Sequence, residues 1–491
     1  MPTAMQQLKY PALDNYIGGE FVPSEGERLD VFSPLDGSVI STVPLSTRGD
    51  LDRAVKAAQA AFPKWSSQTV KDRVQVFFRY RRLLEEHIDE LAALIQEENG
   101  KTFDEGKAEI MKAIELCEFA VSLPQLVGGE ILEVSRGVEC RVDRVPLGVV
   151  ASICPFNFPS MVPHWTITNA IALGNTFLFK PSESVPLSAK RIAELLAEAG
   201  LPAGVFNVVH GGREIVEGIC DHPDIKAVTF VGSTKVAKLV YARATSNFKR
   251  CLAMGGAKNH LMVFPDAEVE QSAINITGSS TGCAGQRCMA AATLIAVGEV
   301  DRVIERVCDV AKKTVPGQEM GAVISREAQQ RIERYITEAE EAGAKVLVDG
   351  RGCVVKGKEN GYYVGATVID RVTPDMKIAR EEVFGPVLAI IRASDADEAL
   401  AIENASPYGN AAAVYTQDGG LAGYIAAKAS AGMVGINIGV PVPREPFGFG
   451  GWNDSRFGHG DITGKSSIEF WTQSKKVTSR WNLSAYTGPI R

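Results

Sequence analysis

Hydrophobic positions in the first quarter of the chain recur at helical spacing. Between residues 50 and 121, apolar side chains return every three or four positions, as in Leu51, Ala54 and Ala58. Polar and glycine-containing breaks at 66–69 and 99–100 interrupt the pattern. The pattern therefore predicts a run of amphipathic helices.

From residue 147 onward, short apolar runs alternate with segments of helix length. Helices are also expected between the last two predicted strands and after Ser233. The main predicted elements are strands at 149–154, 176–179, 205–209 and 227–231, and helices at 162–173 and 187–199. Strands that alternate with helices favour parallel βαβ units and a doubly wound α/β sheet. Such sheets bind ligands beyond the carboxyl ends of their strands.

Length and composition narrow the class of protein. A chain of 491 residues exceeds one ordinary hydrophobic core, so two or more domains are expected. The net charge of −7 lacks the basic footprint of a nucleic-acid binder. No apolar run approaches the length of a membrane span, and the start carries no basic segment followed by an apolar one. We therefore expect a cytoplasmic protein without nucleic-acid or membrane partners.

Cysteine and histidine usage argues against a disulfide framework and against a metal site. The nine cysteines are an odd number scattered over a long chain, which is typical of free thiols. The six histidines form no cluster with metal-ligand spacing. We expect no metal.

The segment at 281–290, Thr-Gly-Cys-Ala-Gly-Gln-Arg-Cys-Met-Ala, has the composition of a nucleophile loop. It presents the thiol of Cys288 beside the guanidinium of Arg287 and then enters an apolar run. No histidine lies within ten residues of Cys288, so its activation would come from a helix N-terminus, backbone donors or a cationic cofactor. The alternative is a buried structural cysteine that behaves as a small hydrophobe.

Two strand ends are candidates for binding a nucleotide, although no Gly-x-Gly-x-x-Gly follows any predicted strand. At the first, Lys180 and Glu183 could hold ribose hydroxyls. At the second, the segment 230–234, Phe-Val-Gly-Ser-Thr, opens a helix whose free N–H groups would favour a pyrophosphate. Each alone could be ordinary, the first as a surface turn and the second as a helix N-cap.

Several motifs in order make the chain similar to the aldehyde dehydrogenase superfamily over nearly its whole length. They lie at 155–159 (PFNFP), 180–183, 230–234, 255–259 (GGAKN), 285–288, 382–386 (EVFGP), Asn437 and 446–451. The segments GAKNH, GQRCMA and GINIGVPVP, at 256–260, 285–290 and 435–443, resemble the CoA-acylating methylmalonate-semialdehyde dehydrogenase branch.

The resemblance implies roles for individual residues. Cys288 would attack the aldehyde carbon, and the oxyanion would be held by the Asn157 side-chain amide together with the Cys288 backbone N–H. Hydride would pass to NAD, leaving a thioester on Cys288. The implied NAD contacts are Lys180 and Glu183 with the adenosine ribose, Ser233 with the pyrophosphate, Glu382 with the nicotinamide ribose and Phe384 near that ring. A carboxylate at Glu183 favours NAD over NADP, because it would repel a 2′-phosphate.

One position departs from the hydrolytic members of the superfamily. Those enzymes usually carry Glu-Leu-Gly-Gly-Lys-Asn, in which the glutamate activates water. Here Met254 aligns with that glutamate, and a shift of one residue gives Ala253. We therefore expect coenzyme A to take the acyl group as co-substrate. The alternative is a hydrolytic NAD-dependent semialdehyde dehydrogenase that gives a free acid, with another acid such as Glu382 relaying water.

The substrate expectation depends on Arg287, whose guanidinium could bind a carboxylate two carbons from the aldehyde, as in malonate or methylmalonate semialdehyde. The alternative is a structural ion pair. In the family a second arginine shares this carboxylate, and Lys112 stands at that position here. With such a substrate, loss of CO2 before CoA attack would give acetyl-CoA or propionyl-CoA. A second departure is Ala237, where the family commonly has glycine.

The resemblance also implies an organisation into three parts. An NAD-binding domain with a Rossmann-like, doubly wound sheet would take 1–123 and 146–254, and an α/β catalytic domain would take 255–452. A small β element at 124–145 and the tail at 453–491 would form a surface for a homo-oligomer, either a tetramer or a dimer. Two rival classes remain from the residues alone: a non-catalytic binding protein on this scaffold, and a cysteine acyltransferase or hydrolase without redox chemistry.

Overall fold

The structure of the protein is a computed structural model, and it describes residues 8–481. The long helical pattern of the first quarter forms five helices, broken near the predicted positions. The helices are α1 Arg48–Ser66, α2 Val70–Arg73, α3 Gln75–Glu86, α4 Ile88–Asn99, α5 Phe103–Leu126, α6 Met161–Ala172, α7 Pro186–Glu198, α8 Arg213–Asp221, α9 Thr234–Ser246, α10 Val269–Thr281, α11 Asp301–Lys313, α12 Arg326–Glu341, α13 Lys377–Arg380, α14 Ala396–Asn404, α15 Gly419–Lys428 and α16 Ser466–Trp471.

The strands belong to three larger sheets and two short pairs. They are β1 Asn15–Ile17, β2 Glu20–Val22, β3 Arg28–Phe32, β4 Val39–Pro44, β5 Ile131–Ser135, β6 Val138–Pro146, β7 Val149–Ile153, β8 Thr176–Lys180, β9 Phe206–Val208, β10 Ile225–Val231, β11 Arg250–Met254, β12 Asn259–Val263, β13 Ala291–Val297, β14 Lys345–Val348, β15 Thr367–Asp370, β16 Val387–Ala393, β17 Tyr408–Gly409, β18 Ala411–Tyr415, β19 Met433–Ile436, β20 Trp452–Asn453, β21 Arg456–Phe457 and β22 Thr472–Arg480.

The first sheet has eight strands in the order β2-β1-β9-β8-β7-β10-β11-β21. Strands β7 to β11 run parallel, while β1 and β21 pair antiparallel with its flanks. Because side chains alternate along a strand, Val150 and Phe177 enter one core with α3 to α7, whereas Ala151 and Leu178 enter another with α1, α8 and α9. The doubly wound sheet predicted from the sequence is confirmed.

The second sheet has seven strands in the order β14-β15-β16-β13-β12-β18-β19. All pairs are parallel except β14 with β15 at one edge. Helices α10 and α11 pack on one face, and α14 and α15 on the other. The chain passes from β11 of the first sheet to β12 of the second through residues 255–258, so these residues join the two layered units.

The third sheet is antiparallel, in the order β22-β6-β5. Most of the predicted excursion at 124–145 forms its strands β5 and β6, although 124–126 still belong to α5. The predicted tail at 453–491 is divided. Strand β21 pairs with β11 and closes one edge of the first sheet, α16 packs against α6, and β22 joins the third sheet; residues 482–491 lie outside the described residues.

Among residues 8–481, no helix is both long and apolar enough to cross a lipid bilayer.

Candidate active site

A cavity of about 380 Å³ lies where the carboxyl ends of β7, β10 and β11 meet the segment before β13. Five of the nine candidate site residues line it: Asn157, Ser233, Cys288, Glu382 and Phe384. Most of the remaining wall is apolar, including the rings of Phe156, Phe158 and Trp165. The sheet edge at which ligands were expected is therefore the edge that carries this cavity.

A tight turn at Gly282–Gly285 leads to Cys288 and fixes the direction of the loop. Cys283, Ala284 and Gly285 all have positive φ angles, of 51°, 52° and 70°. A Cβ at Gly285 would lie 2.0 Å from the carbonyl oxygen of Gly385, so only glycine fits there. Beyond the turn, the Cys288 carbonyl accepts hydrogen bonds from the side-chain amides of Asn259 at 2.8 Å and Asn410 at 2.7 Å.

The thiol of Cys288 is held in its protonated form in the protein alone. Burial raises the pKa of Cys288 to about 12, and the nearby carboxylate of Glu382 acts in the same direction. The backbone N–H groups of Cys288 and Met289 and the Asn410 amide oppose this shift. A positive charge brought close to the sulfur would lower this pKa and favour the thiolate.

Asn157 is positioned for a donor role by contacts on both sides. Its side-chain Nδ2 donates to the carbonyl of Gln286 at 2.9 Å, and because an amide nitrogen carries two hydrogens, one remains for a ligand. Its backbone carbonyl accepts from Nζ of Lys101 at 2.9 Å. Lys101 is fully buried, and its Nζ lies 2.6 Å from Glu109. Asn157, the residue expected to hold the oxyanion, is therefore supported by a buried ion pair.

Glu382 lies against the segment that joins the two sheets. Its Oε1 accepts from the backbone N–H of Ala257 at 3.0 Å, and a Cβ at Gly256 would come within 2.4 Å of its Oε2. Burial raises the pKa of Glu382 to about 7, against the opposing effects of the Ala257 N–H and the Lys258 ammonium. Near neutral pH, both the protonated and the ionised form of this side chain are therefore populated.

The two positions expected to lack a general base lie at the end of β11. Ala253 and Met254 are both buried, and neither has a side chain that can accept a proton. Among the described residues that line the cavity, Glu382 has the one carboxylate. Any base for hydrolysis at this cavity would have to be this residue.

The candidate nucleotide contacts lie along the same sheet edge but are divided between two cavities. Lys180 ends β8 and pairs with Glu183 at 2.8 Å. Glu183 lines a second cavity of about 840 Å³ between α8 and α9, with apolar walls from Val216, Val236 and Leu239. Ser233 is the N-cap of α9 and uses no side-chain hydrogen bond to cap it.

Ala237 packs into the core under the first sheet and is fully buried. Its methyl group therefore does not project into either of these cavities.

Arg287 does not line the main cavity. Its Nε lies 3.3 Å from the Cys283 sulfur, and its guanidinium is 3.4 Å from Glu105. A Cβ at Gly282 would lie 2.3 Å from the guanidinium, so this glycine makes room for it. Of the two sequence interpretations, the ion pair is the one present in this structure, and a substrate carboxylate would have to compete with Glu105.

Lys112 is likewise engaged by the chain's own acids. Its Nζ lies 2.7 Å from Glu445 and 3.1 Å from Glu115. Its side chain is 15% exposed, so it is enclosed rather than open to solvent. The expected substrate contact at Lys112 is not available while both pairs are formed.

Four supporting residues were missed by the sequence reasoning: Lys101, Glu109, Asn259 and Asn410. Asn259 belongs to the GGAKN motif, so its position in the motif was a signal, and its amide also donates to the Ala290 carbonyl at 2.9 Å. The other three gave no signal in the sequence. Lys101 and Glu109 are eight residues apart and stand in none of the motifs, and Asn410 lies 122 residues from Cys288.

The chain is similar to known proteins over nearly its whole length. The model of the "Aldehyde dehydrogenase family" matches residues 21–477. Malonate-semialdehyde dehydrogenase 1 of Geobacillus thermodenitrificans is 45% identical over 98% of this chain and 100% of that protein. A candidate methylmalonate-semialdehyde dehydrogenase of Sinorhizobium meliloti, solved with NAD, is 43% identical with a TM-score of 0.95, over 97% of this chain and 99% of that one.

A second solved structure, the methylmalonate-semialdehyde dehydrogenase of Oceanimonas doudoroffii, is 41% identical with a TM-score of 0.95 and covers 96% of this chain and 99% of its own. The family match covers the whole second sheet, all of the first sheet except β1 and the start of β2, and the loop that carries Cys288. This chain belongs to the aldehyde dehydrogenase family.

Proposed function

We propose that the chain oxidises malonate semialdehyde, methylmalonate semialdehyde or a related aldehyde with NAD and transfers the acyl group to coenzyme A. The observation that carries the CoA step is the pair Ala253 and Met254, which leaves no carboxylate at the position of the usual water-activating glutamate. The substrate class rests on the relatives, three of which are named for malonate or methylmalonate semialdehyde.

The residues present fit a nicotinamide dinucleotide. The apolar walls of the cavity between α8 and α9 suit the faces of an adenine ring, and Lys180 and Glu183 lie beside this cavity for the ribose. The free N–H groups after Ser233 suit a pyrophosphate, and Glu382 and Phe384 lie in the main cavity for the nicotinamide end. When bound, NAD supplies the acceptor for the hydride of the aldehyde.

Within this frame the protein's own groups have distinct tasks. The Cys288 sulfur attacks the aldehyde carbon, and the free hydrogen of the Asn157 amide and the Cys288 N–H hold the oxygen that becomes negative. After oxidation the acyl group is a thioester on Cys288. The thiolate of coenzyme A then attacks that carbonyl and displaces the Cys288 sulfur, without a base for water.

If the acyl group carries a β-carboxylate, it loses CO2 before this transfer and its α-carbon takes up a proton in place of the CO2, so the product is acetyl-CoA or propionyl-CoA. Arg287 is the candidate to meet that carboxylate, by exchanging its 3.4 Å contact with Glu105.

The hydrolytic alternative depends on Glu382. Its pKa of about 7 would let it accept a proton, but its Oε1 is committed to the Ala257 N–H and no second acid lines the described part of the cavity. We therefore keep CoA transfer as the proposal.

Product analysis with and without CoA tests this function. With NAD and malonate semialdehyde but no CoA, we expect about one NADH per active site and then a slow rate, because the thioester accumulates. Adding CoA should restore turnover and yield an acyl-CoA detectable by mass spectrometry. Free acid formed at full rate without CoA would contradict the proposal.

The matched control concerns the nucleophile. Cys288→Ala should abolish the NADH burst, whereas Cys308→Ala should retain it, since Cys308 is buried on α11 in a different hydrophobic core. A burst that survives in Cys288→Ala would exclude Cys288 as the nucleophile.

We further propose that the chain works in the cytoplasm as a homo-oligomer, with the third sheet as the contact surface. In this proposal the NAD-binding domain takes 1–123 and 146–254 and the catalytic domain takes 255–452. Strand β21 is an exception to these bounds. It lies beyond residue 452 in the chain, but it completes the first sheet, which belongs to the NAD-binding domain.

A further inference from the structure

The segment between β7 and α6, residues 154–160, carries the residue expected to hold the oxyanion. We call it the donor loop. It lies outside both elements, and it places Asn157 and the rings of Phe156 and Phe158 in the wall of the main cavity. A buried backbone N–H or C=O without a partner is costly, so a loop in this position needs partners from elsewhere in the chain. Those partners decide how firmly Asn157 is held.

Two consecutive carbonyls of the donor loop are bound by side chains from the junction of α4 and α5. Asn99, the last residue of α4, donates from Nδ2 to the carbonyl of Phe156 at 2.9 Å. Lys101, in the short link between the two helices, donates from Nζ to the carbonyl of Asn157 at 2.9 Å. The backbone at Asn157 is therefore held from outside the loop.

Glu109, in the second turn of α5, holds the end of the donor loop. Its Oε1 accepts from the backbone N–H groups of Ser160 at 2.7 Å and Met161 at 2.9 Å, and its Oε2 lies 2.6 Å from Nζ of Lys101. Both charged side chains are at most 1% exposed. Burial alone would lower the pKa of Lys101, but the opposing effects, of which the Glu109 carboxylate is the largest, raise it. Lys101 therefore remains an ammonium at neutral pH.

Lys101 also contacts the aromatic wall of the cavity from behind. Its Nζ lies 4.1 Å from the centroid of the Phe158 ring, which is a cation–π contact. Phe158 and Asn157 both line the main cavity, whereas Lys101 does not. Any effect of Lys101 on the reaction must therefore pass through the donor loop.

Asn157 is held at its backbone by Lys101 and at its side chain by the carbonyl of Gln286, 2.9 Å from Nδ2. These two contacts leave one amide hydrogen for an oxyanion and restrict where that hydrogen can lie. A donor of this kind acts only at the position where the charge develops, and a displacement of about 1 Å can slow a reaction about a hundredfold. The support of the Asn157 backbone is therefore a candidate for control of the rate.

We propose that Lys101 is a positioning residue for the oxyanion donor Asn157. The ammonium contacts no reacting atom. It holds the Asn157 carbonyl and the Phe158 ring, so that the donor is in place before the aldehyde binds. The inference rests on the proposed attack of Cys288 on the aldehyde, and it adds a residue outside the cavity on which that step depends.

The test is a double-mutant cycle read on the first turnover of NADH, with malonate semialdehyde and saturating NAD but no CoA. Lys101→Met/Glu109→Gln removes both charges of the pair, and the glutamine oxygen can still accept the two N–H groups of α6, so no unpaired charge is buried. We expect its first-turnover rate to fall about tenfold. In an Asn157→Ala background the same two substitutions should change the rate less than about twofold, because the donor that they displace is absent.

Two measurements separate positioning from a general loosening of the site. Alkylation of Cys288 by iodoacetamide forms no oxyanion, so Lys101→Met/Glu109→Gln should keep the wild-type alkylation rate. Lys107→Met is the matched control. Lys107 lies on the same helix and pairs with Asp89 at the surface at 2.9 Å, so this variant should keep the wild-type first-turnover rate.

An unchanged first turnover in Lys101→Met/Glu109→Gln would overturn the proposal, and so would an equal loss with and without Asn157 or a parallel fall in alkylation. An Asn157→Ala enzyme as fast as wild type would remove the oxyanion role and the role of Lys101 with it. Failure of CoA transfer is distinguishable, because the first turnover is read before CoA is added. In that case no acyl-CoA forms on adding CoA, while the cycle still reports on Lys101.

Discussion

Cys288 combines the position of a nucleophile with the protonation state of an ordinary buried thiol. Burial and the Glu382 carboxylate together raise the pKa of Cys288 to about 12. Because the pKa is raised, the thiolate fraction is small near neutral pH and grows as pH increases toward that value. If Cys288 is the nucleophile, a positive charge bound close to its sulfur would lower this pKa and raise the thiolate fraction.

Replacing Glu382 by glutamine should make Cys288 more reactive. The substitution removes the carboxylate charge but keeps an oxygen that can accept the Ala257 N–H. We expect the pKa of Cys288 to fall and its alkylation by iodoacetamide at pH 8.5 to speed up about threefold, the effect of half a pKa unit. The measurement is the rate of label incorporation into the Cys288 peptide across a pH series.

Glu381→Gln is the control for this experiment. Glu381 is adjacent in sequence but exposed, and it accepts a hydrogen bond from Tyr335. An equal acceleration in Glu381→Gln, or none in Glu382→Gln, would contradict the role of the Glu382 charge.

At this scale, contiguous motifs were the informative part of the sequence. Cys288, Asn157 and Phe384 each stand in a recognisable segment, and all three line one cavity. The sequence could not supply Glu105 as the partner of Arg287 or Glu445 as the closer partner of Lys112, because those contacts span 182 and 333 residues. Spacing along the chain predicts which residues share a helix face, but not which distant loop reaches that face.

At the scale of elements, helix α5 connects the site to its scaffold. A capping box at Thr102 and Glu105 starts the helix, and Glu109 then binds both Lys101 and the start of α6. One carboxylate therefore satisfies a buried ammonium and two backbone donors. Removing its charge would leave the Lys101 ammonium charged and buried without its acidic partner.

Glu109→Gln should lower the free energy of unfolding by about 3 kcal/mol, because breaking one side of a buried ion pair leaves an uncompensated charge. Denaturant unfolding followed by circular dichroism measures this change. Glu118→Gln, on the same helix and 51% exposed, should change stability by no more than about 0.5 kcal/mol. A loss as large in Glu118→Gln would show a general sensitivity of α5 rather than an effect of the buried pair.

At the scale of the whole molecule, the four central parallel strands of the first sheet were predictable and its edges were not. The predicted strands at 176–179 and 227–231 agree with β8 and β10 to within two residues, because a parallel sheet buried on both faces gives continuous apolar runs. Strand β21 is only two residues long, and it pairs across the chain with β11. A strand that short has no periodicity to detect, so only the fold itself reveals its place.

The third sheet carries the last prediction, since β5 exposes apolar side chains that a folded monomer would not stabilise. Ile131 is 68% exposed and Leu132 is 66% exposed. If a second copy covers them, Ile131→Lys/Leu132→Lys should reduce the mass measured by light scattering after gel filtration. Val354→Lys, at a site also 68% exposed but in the loop between β14 and β15, should leave that mass unchanged. A monomeric wild-type protein would contradict the homo-oligomer, and an oligomer unaffected by the two lysines would place the contact surface elsewhere.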